Sequence, residues 1–310
     1  MSAIAKPKIS LAIPVYNGEI FVSECIESIL AQTFRNFELI ITDNASVDST
    51  QLICEKYAQQ DPRIRYIRND ANIGAAANYN RGFELATGEY LKWCAHDDRI
   101  SPNFLESCVT ALDSDPTVVL AFGSTVGIDP DGEQLESVGD ETPSLMDARP
   151  SMRFIQAIRL AGTCFPIFGL FRMSALRRSL LHQRYYGSDR ALLAEIALLG
   201  RFLRVDDAIF YNREHQSRSI RIDDKLARSQ WQTGTRSRRA AAEHLNLARH
   251  LTKIALRHPD ISPPLSTISR LIPHLLSPTQ MGRYALEVTS MVSPQAAAWA
   301  KSRIGGSQAA

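Results

Sequence analysis

Apolar and polar positions in the N-terminal half alternate in blocks rather than singly. Ile9 to Val15 is an almost uninterrupted apolar run of strand length. Phe21, Val22, Cys25, Ile26, Ile29 and Leu30 then recur at three- and four-residue spacing, one face of a helix. Phe37 to Thr42 repeats the strand signal and Asp48 to Gln60 the helix signal. A short strand at Ile64 to Ile67, a helix at Ala75 to Ala86 and a strand at Glu89 to Cys94 follow. Pro102 to Leu112 reads as helix and Thr117 to Gly123 as strand. Strands buried on both faces give continuous apolar runs, so the pattern predicts an α/β fold with a mainly parallel sheet covered by helices.

The signal weakens further on. Asp129-Pro130-Asp131-Gly132 predicts a hairpin turn, and the polar residues 133–150 a mobile loop. Met152 to Leu160 reads as helix, Gly162 to Arg172 as strand, and Ala208 to Tyr211 as strand. Asp189 to Leu199 is predicted helical, with Ala191, Leu192, Ile196 and Leu199 on its apolar face and Glu195 facing solvent or capping a neighbour. Beyond residue 222 the chain turns Arg- and Ala-rich, helical and free of strand signals, with disorder expected from Arg303. The expected organisation is a domain over 1–222 and a helical extension over 223–310.

Composition adds few constraints. The 310 residues are 45% hydrophobic and 22% charged, with a formal net charge of +2, as in an ordinary globular protein. No apolar stretch is long enough to span a bilayer, and Met1 to Lys8 has no signal-peptide core, so a cytoplasmic location is expected. The 5 cysteines form no CxxC pair, and Cys25 and Cys54 read as small core residues on apolar helix faces. Arg218, Arg221, Lys225, Arg228, Arg236, Arg238 and Arg239 form a basic stretch against Asp223 and Asp224. It reads either as a peripheral contact with anionic lipid or as a solvated helical face. It lacks interleaved aromatics, so no nucleic-acid partner is expected.

Ligands of parallel sheets bind beyond the carboxyl ends of the strands. Three polar clusters lie at such ends: Tyr16-Asn17, Asp43-Asn44 and Asp97-Asp98. Adjacent carboxylates suit a hard divalent cation bridging to a diphosphate, although Asp is also a common turn residue. The chain has neither GxxxxGK[ST] nor GxGxxG after its first strand, which argues against a P-loop or dinucleotide site. A diphosphate bound here would need another means of neutralisation, and a cation on Asp98 supplies one.

Pro14-Val15-Tyr16-Asn17-Gly18, Gln32-Thr33-Phe34 and Asp43-Asn44-Ala45-Ser46-Val47-Asp48-Ser49-Thr50 stand in that order. Asn72-Ile73-Gly74, Asn78, Gly82, Ala86-Thr87-Gly88-Glu89-Tyr90 and Asp97-Asp98 continue the series. Over about residues 8–220 the chain resembles the family 2 glycosyltransferases, which have the Rossmann-like GT-A fold. The resemblance implies that Asp43 accepts a hydrogen bond from a uracil ring, that Pro14, Tyr16 and Asn17 hold base and ribose with Asn78 beside them, and that Asp97 lies near the ribose. Asp98 would be the ligand of Mn2+ or Mg2+. His96 departs from a frequent third aspartate and reads either as packing and support or as tuning the site. Asp189 in Gly187-Ser188-Asp189-Arg190 matches the catalytic base, although Ser188 or Asp189 would also suit a helix cap. Arg213, His215 and Arg218 form a polar stretch in which His215 suits the metal and the arginines a diphosphate; a plain surface loop is the alternative.

The resemblance implies inverting transfer from a nucleotide-diphosphate sugar, most simply UDP-linked, to a hydroxyl of a glycan or lipid-linked acceptor in cell-surface polysaccharide synthesis. Acceptor choice would lie in residues 129–150 and 162–187. A sugar-phosphate nucleotidyltransferase is a rival, but the Gly-rich basic loop after the first strand is missing. A non-catalytic nucleotide-sugar-binding scaffold is the other, and retention of Asp43, Asp97, Asp98 and Asp189 weighs against it.

Overall fold

A computed structural model describes residues 6–140, 142–160 and 164–293. β1 (Ile9–Val15), α1 (Val22–Leu30), β2 (Phe37–Asp43), α2 (Thr50–Gln60), β3 (Ile64–Arg68), α3 (Ala75–Leu85) and β4 (Tyr90–Trp93) alternate as the pattern predicts. β5 (Arg99–Ile100), α4 (Phe104–Ser114), β6 (Val118–Ile128) and β7 (Gln134–Asp140) follow. Next come α5 (Pro150–Leu160), β8 (Leu170–Arg172), α6 (Met173–Leu176), α7 (Ser188–Leu199) and β9 (Arg201–Arg213). The chain continues as α8 (Lys225–Thr233), α9 (Glu243–Arg257), α10 (Pro264–Leu275) and α11 (Pro278–Val292).

The strands form one sheet in the order β3-β2-β1-β4-β8-β6-β9-β5, with β7 paired to the outside of β6. β3, β2, β1 and β4 run parallel, as do β6 and β9, while β8 joins the two groups antiparallel. All seven residues of β1 and of β2 are buried. Ile9, Leu11, Ile13 and Val15 enter one core with Leu39 and Ile41, whereas Ala12 and Ile40 enter the opposite core with Leu91 and Trp93. A sheet covered on both faces therefore accounts for the unbroken apolar runs.

The sequence reading differs from the structure in three places. The hairpin turn at 129–132 forms, with Asp129 Oδ1 accepting from the backbone N–H of Asp131 and Glu133. The loop expected after it instead begins with β7, paired antiparallel to β6. The strand expected over Gly162 to Arg172 shrinks to β8, preceded by a turn of 3-10 helix at Phe165–Phe168; residues 161–163 lie outside the described residues. The strand expected at Ala208 to Tyr211 is part of the longer β9, which also pairs with the unpredicted β5. The tail from Arg303 lies outside the described residues.

The helical extension packs against the sheet's own helices, α9 on α7, α10 on α5 and α8 on α3. One join is very close. A Cβ on Gly74 would lie 2.4 Å from the backbone N of Gly234, the residue that caps α8. Gly74 and Gly234 both have positive φ, 85° and 77°, where glycine carries no steric penalty.

Glu195 corrects a further expectation. It is wholly buried and accepts from the backbone N–H of Leu180 at 2.7 Å, with His258 Nε2 at 2.8 Å and Arg257 at 3.4 Å. It joins α7 to the end of α9 and does not face solvent. Among the described residues, no helix is long and apolar enough to cross a membrane.

Candidate active site

β1, β2 and β4 end side by side, with Val15 opposite Asp43 and Ala12 opposite Trp93. The loops that leave them open onto a cleft of about 850 Å³. Pro14, Tyr16 and Asn17 line it, together with His96, Asp97 and Asp98. Two of these loops are stitched together. Asn17 N–H donates to Ser46 Oγ at 2.9 Å, and Asn17 Oδ1 accepts from Val47 N–H at 2.9 Å. Asn17 and Ala45 hold left-handed conformations, φ 52° and 64°, a strain that a tightly bonded loop can sustain.

Asp43 is placed differently from the sequence expectation. Its side chain is wholly buried and does not line the cleft. Oδ1 accepts from Ser46 N–H and Ser46 Oγ, while Oδ2 accepts from Tyr66 Oη at 2.6 Å and Arg68 Nη1 at 2.8 Å. Four donors occupy the acceptor positions of one carboxylate, leaving none for a base. Asp43 shapes the loop, and its neighbour Asn44 lines the cleft. Asn78 lines the cleft too, with its amide bonded to Thr42 O and Asn69.

Asp98 is buried beside Asp97 and held from β9. Its Oδ1 accepts from Arg213 N–H at 2.8 Å and Asn212 Nδ2 at 3.2 Å, whereas Oδ2 has only a 3.4 Å contact. Burial, then the charge of Asp97, pushes the Asp98 carboxyl well above its ordinary range. Burial also pushes Asp97 upward, but His96 and His215 outweigh it and hold that carboxyl at about 2. A buried carboxylate with an oxygen nearly free, next to a second negative charge, fits a divalent cation with oxygen ligands. His215 Nε2 meets Asp97 Oδ2 at 2.8 Å, and its ring packs on Phe21 at 5.0 Å. As placed, His215 partners Asp97 through Nε2 and lines the cleft.

Arg213 also departs from its expected role. It is 1% exposed, and its guanidinium donates to the carbonyls of Asp97, Asp129 and Pro130 and to the Glu24 carboxylate. The cation lies over the Phe21 ring, 4.8 Å from its centroid. All this holds the Asp97 backbone in place, and Arg213 is not among the residues that line the cleft. Arg218 does line the cleft, paired with Glu214 and donating to Asn212 Oδ1 at 2.9 Å. Of the residues not singled out in the sequence, Asn212 fixes Asp98, and Tyr79, Gln230 and Trp231 line the walls. An Asn beside a prominent Arg gave no signal of its own.

Asp189 stands in the first turn of α7 and lines the same cleft. The capping expectation is not met: Gly187 occupies the cap position, φ 85°, and no side chain caps the helix. Asp189 Oδ1 accepts from the adjacent Arg190 N–H at 2.9 Å, and burial pushes its carboxyl upward. The Cys164 thiol lies beside it and lowers it in part.

A different cluster satisfies the geometry of a three-ligand group: Glu243, His244 and Glu287. Lys225 Nζ sits 2.7 Å from Glu287 Oε1, so an ammonium already balances that charge. Much of the basic stretch is paired likewise: Arg218 and Arg221 meet Glu214, Arg228 meets Glu243 and, at the surface, Arg236 meets Asp224.

Comparison with known proteins places this geometry in context. GlyG, a glycosyltransferase of Streptococcus pneumoniae, is 37% identical over 99 residues, 32% of this chain and 33% of its own length. An uncharacterized glycosyltransferase of Rickettsia typhi, RT0329, is 29% identical over 210 residues, 66% of this chain and 61% of its own. The chain thus spans less than two thirds of either relative. Staphylococcus aureus TarS 1–349, solved with UDP-GlcNAc, superposes with a TM-score of 0.55 at 17% identity, covering 93% of this chain and 92% of TarS. The mannosyltransferase PcManGT of Pyrobaculum calidifontis, solved with GDP-Man and Mn2+, gives a TM-score of 0.56 at 19% identity, covering 97% and 81%. At those identities the likeness establishes the GT-A type of fold. The family described as Glycosyl transferase family 2 matches residues 10–182, more than half of the sequence, and the chain belongs to that family of transferases.

Proposed function

We propose that the chain moves a sugar from a nucleotide-diphosphate sugar, UDP-linked, to a hydroxyl of a glycan or lipid-linked acceptor, with Mn2+ or Mg2+ and with inversion. The observation that carries this reading is the presence of Asp97, Asp98 and Asp189 on one cleft, in two different electrostatic states. Tyr16 and Asn17 hold the nucleoside end, and Arg218 faces the diphosphate. Asp98 is the residue that would hold the cation, with Asp97 and His215 beside it. A cation bound there offsets charge on the leaving diphosphate.

Asp189 takes the proton of the acceptor hydroxyl. The oxygen attacks the anomeric carbon as the bond from that carbon to the diphosphate breaks, and the electron pair leaves with the nucleotide. An elevated carboxyl makes the better base, because proton affinity rises toward the working pH. Asp43 and Arg213 act beneath the site, shaping the loops that present its contacts. The UDP-GlcNAc complex of TarS and the GDP-Man complex of PcManGT make the nucleotide the first point to test. Synthesis of a cell-surface polysaccharide is the process in which this reading places the enzyme, on the cytoplasmic side.

Thermal melting with UDP, GDP, CDP and dTDP, each with and without Mn2+, tests the donor site. A ligand at a hundredfold excess over its Kd adds about 2.7 kcal/mol to the folded state. The expected result is a Mn2+-dependent shift with UDP that Asp98→Ala abolishes. No shift with any nucleotide would remove the donor site and with it the proposed reaction.

A further inference from the structure

Trp231 belongs to α8, in the helical extension, yet lines the cleft with Asp98 and Asp189. It is 39% exposed. An aromatic ring on the wall of a polar cleft matches the make-up of ligand sites, which pair apolar faces with a few placed polar groups. The ring is held in place. Tyr186 packs against it edge-on at 6.1 Å, and the Arg228 guanidinium covers Tyr186 at 5.0 Å. Arg228 is in turn fixed by two hydrogen bonds to Glu243, at 2.9 and 3.1 Å. Gln232, the next residue, is 3.3 Å from Ser188 Oγ, so α8 is tied to the turn that carries Asp189.

These contacts place Trp231 with Asp189 rather than with the nucleoside loops of β1 and β2. The group that must approach Asp189 is the acceptor, because it surrenders its proton there. A pyranose ring has C–H bonds on its faces and hydroxyls around its edge. Those C–H bonds carry partial positive charge and meet the negative face of an aromatic ring favourably. Gln230, also on the cleft wall, offers an amide that can both donate to and accept from sugar hydroxyls.

We propose that Trp231 and Gln230 form an acceptor subsite for a pyranose, with the indole stacked on one sugar face and a hydroxyl directed to Asp189. This rests on the transferase reading above and names the acceptor class within it. A sugar ring is selected over an open polyol chain, which has no flat C–H face to stack. The extension would thereby supply part of the acceptor site.

The test uses the full chain with UDP and Mn2+, titrated with methyl glycosides of glucose, galactose, mannose and N-acetylglucosamine while indole fluorescence is followed. At least one glycoside should give a saturable change, lost in Trp231→Phe, which keeps Trp93 and Trp299. In transfer to that glycoside, Trp231→Ala should raise the acceptor KM about tenfold and the donor KM less than about twofold, with Trp231→Phe between it and wild type. A flat titration with all four glycosides, a signal that persists in Trp231→Phe, or equal changes in both KM values would overturn the subsite. If Trp231→Ala fails to fold, the Phe variant decides alone. Nucleotide-dependent melting of the same wild-type sample separates the two readings. A UDP shift with no sugar response removes only the subsite, whereas loss of the UDP shift removes the donor site and the subsite together.

Discussion

The rim of β1, β2 and β4 and the helix α8 face the same cleft but are built by different means. At the rim, short loops bond to one another within a few residues of the strand ends, as Asn17 does with Ser46 and Val47. At α8 the chain returns after more than two hundred residues and is fixed by long-range contacts: Gly234 on Gly74, Gln232 on Ser188, and Arg228 over Tyr186. Local bonds leave motifs in a sequence. Long-range contacts use ordinary residues whose partners cannot be read from spacing. The rim should therefore fail residue by residue, whereas the extension should fail as a unit.

The largest effect expected is at Asp189, where both regions meet. Asp189→Asn keeps the shape and removes the base, so transfer should fall by roughly 10²–10⁴-fold, the usual contribution of general base catalysis. Nucleotide-dependent stabilisation should survive. Loss of both would mean that Asp189 organises the cleft rather than the chemistry. The raised carboxyl adds a pH signature. The base works only when deprotonated, so kcat/KM should decline as pH falls through a value above about 3.9, the ordinary Asp range. An acid limb at or below that range would contradict the assignment.

Glu195→Ala comes next and tests whether the extension holds together as a unit. It strips a buried anion from His258 and frees the backbone N–H of Leu180. Leaving a buried hydrogen-bonding group without its partner costs roughly 1–3 kcal/mol each, so a loss of a few kcal/mol is expected. Urea unfolding should show that loss, and residues around α9 should exchange amide hydrogens faster than the rim. Uniform loss across the chain would show that rim and extension are one cooperative block.

Gly74→Ala probes the seam between them. The added Cβ would meet the backbone of Thr233 and Gly234, and φ of 85° is unfavourable for alanine. A cost of about 1–3 kcal/mol is expected from overpacking. Acceptor KM should rise more than donor KM, because α8 would shift while the strand ends stay. Equal effects on both would mean that the Asn72-Ile73-Gly74 turn serves the nucleotide directly.

Legibility followed the same division. Alternation of apolar blocks exposed β1 to β4 and the helices between them, most clearly where both faces of β1, β2 and β4 are buried. It missed β5, which has only two residues, and β7, whose sequence is broken by Gln134, Glu136 and Asp140. Asp98 could be singled out because paired carboxylates at a strand end carry their own chemistry, and Asp189 through the resemblance of Gly187-Ser188-Asp189-Arg190 to the family's acidic motif. Asp43 could not be placed correctly, since nothing local reveals that Tyr66 and Arg68 come back to saturate it. Arg213 misled for the same reason: its partners Glu24 and Asp129 lie far off in sequence. Glu195 was misjudged because its partner His258 is in the extension.

The smallest effect concerns the basic stretch at the start of the extension. Arg236 is 64% exposed and reaches Asp224 at 3.7 Å, so Arg236→Ala should change stability by no more than roughly 0.5 kcal/mol. Its interest lies in surface charge. Arg228, Lys225 and Arg218 are already committed to Glu243, Glu287 and Glu214, and a cation paired within the protein contributes little to an external field. Vesicle affinity from polybasic segments grows by about 1 kcal/mol for each basic side chain near the surface. Arg236, Arg238 and Arg239 are exposed and remain to supply at most about 3 kcal/mol, too little to anchor the protein alone. Sedimentation with vesicles containing anionic phosphatidylserine at low salt should therefore retain little protein, and Arg236→Ala should not change the amount. Strong, salt-sensitive retention that falls in Arg236→Ala would reverse this. It would show that the extension serves the membrane as well as the cleft, and that a lipid-linked acceptor is drawn in from its basic side.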